Sequence, residues 1–262
     1  MADFQYAQAR TGAQTGDMSV DAGLRAFMLG VYNKLALGIA LAGVLAFVAG
    51  TVPAVTQLVF GTPLYFVVQW GPIALMLGSM FFMKNPSPLA TGIMYWAIVT
   101  MMGLGLGIWV AGAQAASAGV PVDFASRGGI TFDNLTYVTI GKAFLITASA
   151  FGALSLFGYT TKRDLSGIGS FAMMALWGVL AMSLLNFILP PSSMFEWIIM
   201  GAVFALSAVL IAVETQQLKE GYYNFSGDAR SLAVMTNWGA LNFFISFVNM
   251  FRIVLMFLSS RE

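Results

Sequence analysis

The chain has 262 residues, of which 59% are hydrophobic and 9% charged, with a net charge of +1. A soluble domain carries about 25% charged residues, so a water-facing globule is excluded, and the near-zero charge without a basic run excludes a nucleic-acid surface. Cysteine and histidine are both absent, which removes disulfides, zinc–thiolate and imidazole metal sites and serine–histidine catalysis.

Residues 1–26 are polar and lack an apolar signal core, so they read as a mobile cytoplasmic tail. Seven apolar segments follow, each near the roughly 20 residues that a spanning helix needs. They are Phe27–Gly50, Leu64–Met83, Leu89–Val110, Leu135–Gly158, Gly167–Leu189, Phe195–Glu214 and Ser231–Leu258. Pro53, Pro63, Pro86, Pro88, Pro190 and Pro191 punctuate the intervals, whereas Pro72 lies inside the second segment and predicts a kink. The long interval from Ala111 to Asn134 reads as a solvated linker. The expectation is an all-α polytopic membrane protein, with a membrane domain over residues 27–258 and a short tail over 259–262.

Lysine and arginine give the orientation. Arg10, Arg25, Lys84, Lys162, Arg163, Lys219 and Arg230 fall on one side, and Arg127 and Arg261 on the other. The amino terminus is therefore placed in the cytoplasm and the carboxyl terminus outside. Lys34 lies near the cytoplasmic end of the first segment and can snorkel. Gly103 and Gly107 have small-xxx-small spacing, which lets two helix backbones approach.

The seventh segment is the one the others are expected to surround. At about 100° per residue, Asn242, Ser246 and Asn249 share a narrow stripe with Arg252 at its edge. Hydrocarbon cannot satisfy such a stripe, so it faces other helices or a hydrated path. Glu214 closes the sixth segment; it is either a gate and cation ligand or an interfacial carboxylate facing water. Lys84 closes the second segment on the same side. It either latches to Glu214 or simply obeys the orientation rule. Lys142 and Arg252 read as anchors, and Asn186 as interhelical glue. The apolar segments contain no aspartate, and no histidine is present to activate a serine. An intramembrane protease is thus excluded, and no enzyme is expected.

Three stretches together resemble the Bax inhibitor family, whose bacterial members include YccA-like proteins. The most specific is Phe157-Gly158-Tyr159-Thr160-Thr161-Lys162-Arg163-Asp164-Leu165-Ser166. Glu214-Thr215-Gln216 with Lys219 is similar to an acidic-Thr-Gln element, and Ser246-Phe247-Val248-Asn249-Met250-Phe251 to an Asp-Phe-Ile-Asn-Leu-Phe pattern. The resemblance implies a seventh helix at the centre of six others and a pH-sensitive calcium leak. For bacterial members it also implies association with a membrane-bound ATP-dependent protease, and it suits a bacterial inner membrane. It further implies an acidic pair as pH sensor with a basic latch, mapping to Glu214, Ser246 and Lys84. Ser246 cannot ionise, so a proton-sharing dyad is not available here.

Two readings stay open. In the first, cations leak passively along Asn242, Ser246, Asn249 and Arg252, with Glu214 as the lone carboxylate ligand for calcium that binds only transiently; no other cofactor is expected. In the second, the chain conducts nothing and regulates a membrane protease partner.

Overall fold

The computed structural model describes residues 2–83, 85–119, 135–188, 193–225 and 227–259. Among these residues the chain forms eight helices: α1 (Ala2–Thr51), α2 (Pro53–Phe60), α3 (Leu64–Phe82), α4 (Pro88–Ala118), α5 (Tyr137–Thr160), α6 (Ser166–Ile188), α7 (Ser193–Phe225) and α8 (Ala229–Ser259). Five stretches are long and apolar enough to cross a membrane: Ala22–Thr51, Pro88–Ala118, Tyr137–Thr160, Ile198–Phe225 and Ala229–Ser259. The α2–α3 pair makes a sixth if counted as one bent span. The remaining expected span falls on α6, a helix of 23 residues, of which Ser166–Val179 is the apolar stretch among the described residues.

Several boundaries differ from the sequence reading. Helix α1 begins at Ala2, so the stretch expected as a mobile tail is helical and continuous with the first span. Helix α4 runs on through Ala118, beyond the expected end at Val110. The sequence Ala111-Gly112-Ala113-Gln114-Ala115-Ala116 is rich in the strongest helix former, and the helix stops only at Gly119, whose φ of 64° is left-handed. The rest of the expected linker, residues 120–134, lies outside the described residues. Pro53 starts α2 at a position where a missing N–H does no harm. Helix α3 continues through Pro72, and a bend of 64° lies at the α2–α3 break around Gly61 and Pro63.

Helix α8 is the most buried of the spans and packs against α1, α4, α5 and α7. The expectation of six surrounding helices is corrected here: among the described residues α3 packs on α4 and α6 packs on α7, each in an outer layer. Phe243, Phe244, Met250 and Leu255 of α8 are fully buried, together with Tyr95 and Ile98 of α4 and Ile211 of α7. Phe151 of α5 meets Phe243 edge-on, with ring centroids 5.5 Å apart. Leu37, Phe47, Phe66, Trp70, Leu145 and Trp177 point outward and are exposed, the outward apolar coat that lipid requires.

Small residues set the closest helix approaches. A Cβ on Gly103 would lie 2.7 Å from the Ala42 Cα, and one on Gly107 2.7 Å from the Ala49 Cβ. The predicted small-xxx-small contact is therefore made between α4 and α1, with Ala42 and Ala49 as its other half. Gly158 of α5 is wedged against the backbone of Ala212 in α7, where a Cβ would lie 2.9 Å from both the carbonyl carbon and the Cα.

Candidate functional site

Glu214 occupies α7 between the buried residues Val213 and Thr215 and is itself only partly buried. Its carboxylate faces α8, where the Ser246 hydroxyl lies 3.1 Å from one oxygen and 3.3 Å from the other. A hydroxyl carries one proton, so Ser246 donates to one oxygen at a time and leaves the carboxylate's charge uncompensated. Among the described residues no lysine or arginine pairs with Glu214. Lys84, the expected latch, lies outside the described residues.

One residue on, the adjacent face of α7 carries a different network. Thr215 donates its single proton to the Ile211 carbonyl at 2.8 Å. The Ser155 hydroxyl of α5 therefore donates to Thr215 Oγ1, 3.1 Å away, and the Tyr32 hydroxyl of α1 in turn hydrogen-bonds Ser155. The proton count fixes the direction of the whole chain. Tyr32 is held by stacking on Phe243, with centroids 5.7 Å apart.

Helix α7 also grips the α5–α6 loop. The Gln216 amide accepts from the Leu165 N–H and donates to the Arg163 carbonyl, both at 2.8 Å. The Lys219 ammonium donates to the Tyr159 carbonyl at 3.2 Å and lies over the Tyr159 ring. Within the loop, Thr160 donates to the Leu156 carbonyl, and Thr161 Oγ1 accepts from the Arg163 N–H. Asp164 accepts from the Ser166 N–H at 2.8 Å. These bonds to Ser166 hold the Asp164 carboxyl below the usual carboxylate range. Lys162 is exposed. Two of the three stretches that resemble the family are thus one structural unit: Gln216 and Lys219 hold the Tyr159–Leu165 backbone in place.

A second polar cluster was not legible in the sequence. Asn237, early in α8 and buried, donates to the Pro88 carbonyl and to Thr91 Oγ1, both at 2.8 Å. Its carbonyl oxygen accepts from the Lys34 ammonium. Tyr95 donates to the Lys34 backbone carbonyl at 2.7 Å, and its ring lies 5.1 Å from the ammonium. Lys34 was expected to snorkel; instead it turns inward, because Asn237 offers it an acceptor.

The α8 stripe divides. Ser246 bonds Glu214, while Asn249 and Arg252 open onto a crevice beside α3 and α4. Asn242 is exposed and lies in neither place. Lys142 is exposed on α5, and the Asn186 side chain lies outside the described residues, as does Arg261. Among the described residues no three acidic side chains gather to hold a metal ion.

A helical bundle coated with apolar side chains, with two inward-facing polar clusters among its described residues, is a polytopic membrane protein. The family model described as "Inhibitor of apoptosis-promoting Bax1" matches residues 24–262, and the chain belongs to this Bax inhibitor-1 family. It is 42% identical to an uncharacterised protein of Caulobacter vibrioides, over 98% of both chains. It is 30% identical to the inner membrane protein YbhL of Escherichia coli K12, over 92% of this chain and 94% of that one. An uncharacterised protein of Rickettsia prowazekii is likewise 30% identical, over 92% of each.

Proposed function

We propose that this protein is a passive leak for cations, calcium among them, across a bacterial inner membrane, with Glu214 and Ser246 as the constriction. One observation carries the reading: among the described residues, a carboxylate on α7 is held to α8 only by a neutral hydroxyl. An ionisable group inside a membrane domain is retained where it serves an ion or a proton. A hydroxyl partner leaves its negative charge available to a passing cation. Calcium prefers six to eight oxygen ligands, several of them carboxylates, so a lone carboxylate favours weak binding and passage over storage. The inner-membrane location is supported by YbhL, which is named for it. The amino terminus is assigned to the cytoplasm from the distribution of lysine and arginine.

A single carboxylate takes up one proton, so any pH response through Glu214 follows a one-proton curve and not the two steps of a dyad. In liposomes the purified protein is expected to pass calcium, Glu214→Gln to reduce that flux several-fold, and Ser246→Asp to steepen its pH dependence. Absence of calcium flux at every pH would end this reading.

Ser246 favours a second reading, because it stands where the family resemblance implies an acidic residue. In this reading the chain is a non-conducting regulator of a membrane protease, and the Glu214–Ser246 contact is helix glue. Stable co-purification of a membrane protease with flux-inactive protein would support it.

A further inference from the structure

A crevice of about 420 Å3 opens between α3, α4 and α8. Most of its wall is apolar, as the surroundings demand, but four polar side chains converge on it: Tyr65 and Gln69 from α3, and Asn249 and Arg252 from α8. Gln69, Asn249 and Arg252 are exposed into it. Neither the two amides, nor the guanidinium, nor the Tyr65 hydroxyl hydrogen-bonds to another described residue. Among the described residues no aspartate or glutamate lines the crevice. Pro72 also lines it, and because it lacks an N–H it leaves the Val68 carbonyl without its usual helical donor. Arg252 lies seven residues before the end of α8, about 10 Å along the helix axis.

Unpartnered polar groups are expensive in an apolar setting, and four in one concavity call for a common partner. Arginine presents five N–H donors and no acceptor, in a fork that matches two oxygens of one group. The two amides and the phenol add further donors. A cation is repelled by the guanidinium. The volume falls within the about 300–1,000 Å3 typical of ligand sites.

We propose that this crevice is an oxyanion site. Arg252 forks the two oxygens of a carboxylate or phosphate group, and Gln69, Asn249 and Tyr65 supply the remaining donors. The group can come from a lipid headgroup or from a free anion in water. The site goes beyond the leak reading and does not depend on it, because binding is measured without flux.

The test uses the full-length protein, delipidated in detergent, with two probes: phosphatidylglycerol by native mass spectrometry, and inorganic phosphate by titration calorimetry. Wild type is expected to bind one probe per chain. Arg252→Gln should weaken binding at least ten-fold, and Arg252→Lys should weaken it less, keeping the charge but losing the fork. Gln69→Leu with Asn249→Leu, which leaves Arg252 intact, should weaken binding at least three-fold. Binding in the lipid arm alone assigns the source as a headgroup, and binding in the phosphate arm assigns a free anion. The proposal is overturned by no binding in either arm, or by Arg252→Gln binding as wild type does. It is equally overturned if the double amide variant, eluting as a single species, binds unchanged, since Arg252 would then act as a point charge without a site.

Discussion

Replacing Asn237 with leucine is the most informative single perturbation of the bundle. The change removes two donated hydrogen bonds, to Pro88 and Thr91, and one accepted from Lys34. Interhelical polar contacts in membrane proteins average about 0.6 kcal/mol each and reach about 1.7 kcal/mol. Three such bonds total about 2 kcal/mol. The groups left behind are unequal: Thr91 still has a carbonyl to donate its one proton to, that of Ser87 or of Pro88, whereas Lys34 loses its acceptor and keeps only the face of Tyr95. Most of the loss therefore belongs to the Lys34–Asn237 pair, and the two positions must couple. Lys34→Met with Asn237→Leu should be less destabilising than the sum of the single changes by about 1 kcal/mol, as expected for residues in direct contact. Asn237→Asp keeps the acceptor, loses the donors and should fall between wild type and leucine. Unfolding of the purified protein in mixed micelles would measure all four. Additive single effects, or a loss below about 0.5 kcal/mol for Asn237→Leu, would refute the cluster as a tie between α1, α4 and α8.

Three further outcomes follow from local geometry. Gly158→Ala forces a Cβ against the Ala212 backbone, so it should cost about 1–3 kcal/mol through overpacking and expose the α5–α6 loop to proteolysis. Thr147 is fully buried and its hydroxyl has no hydrogen-bond partner among the described residues; Thr147→Val keeps the shape and should raise thermal stability by up to about 1 kcal/mol. Asp164 and Asp228 are both held below the ordinary carboxylate value of 3.8, Asp164 by the Ser166 hydroxyl and N–H, and Asp228 by the Ser231 hydroxyl and the Arg230 N–H. A depressed folded value means that the contribution is complete above 3.8 and fades as pH falls below it. The protection factors of the Ser166 and Arg230 amides, corrected for intrinsic exchange, should therefore fall below about pH 4, and Asp228→Asn should remove that dependence at Arg230.

Much of the architecture is local and was therefore legible. Apolar length locates the spans, and the glycine spacing in α4 announces a close contact, which Ala42 and Ala49 complete. What escaped is long-range pairing. Lys34 and Asn237 are 203 residues apart, and no periodicity in either helix signals the other. Asn237 also lies about 140° around α8 from Asn242, so a reading centred on the polar stripe passes over it. The family resemblance singled out both the Phe157–Ser166 loop and Glu214-Thr215-Gln216. That Gln216 clamps the loop backbone is visible only once the chain has folded back across a separation of 51 residues. Pro72 removes one helical bond, yet α3 runs on through it, because neighbouring helices can support a helix through a proline.

These ties divide the bundle into two units. Asn237 binds α8 to α1 and α4, while Gln216 and Lys219 bind α7 to the end of α5 and to the α5–α6 loop. Two of the described side-chain hydrogen bonds cross between the units, Tyr32 to Ser155 and Ser246 to Glu214. The rest of that boundary includes apolar packing such as Phe151 against Phe243 and Phe247. Apolar packing is non-directional, so it permits sliding that hydrogen bonds resist. Tyr32→Phe combined with Ser246→Ala should therefore loosen the two units while leaving each intact. Spin labels placed across the α7–α8 boundary should show a broader distance distribution in the double variant, and labels between α1 and α4 an unchanged one. Equal broadening at both places would mean that the bundle yields as a whole, and a contact between Glu214 and Ser246 could then not act as a gate.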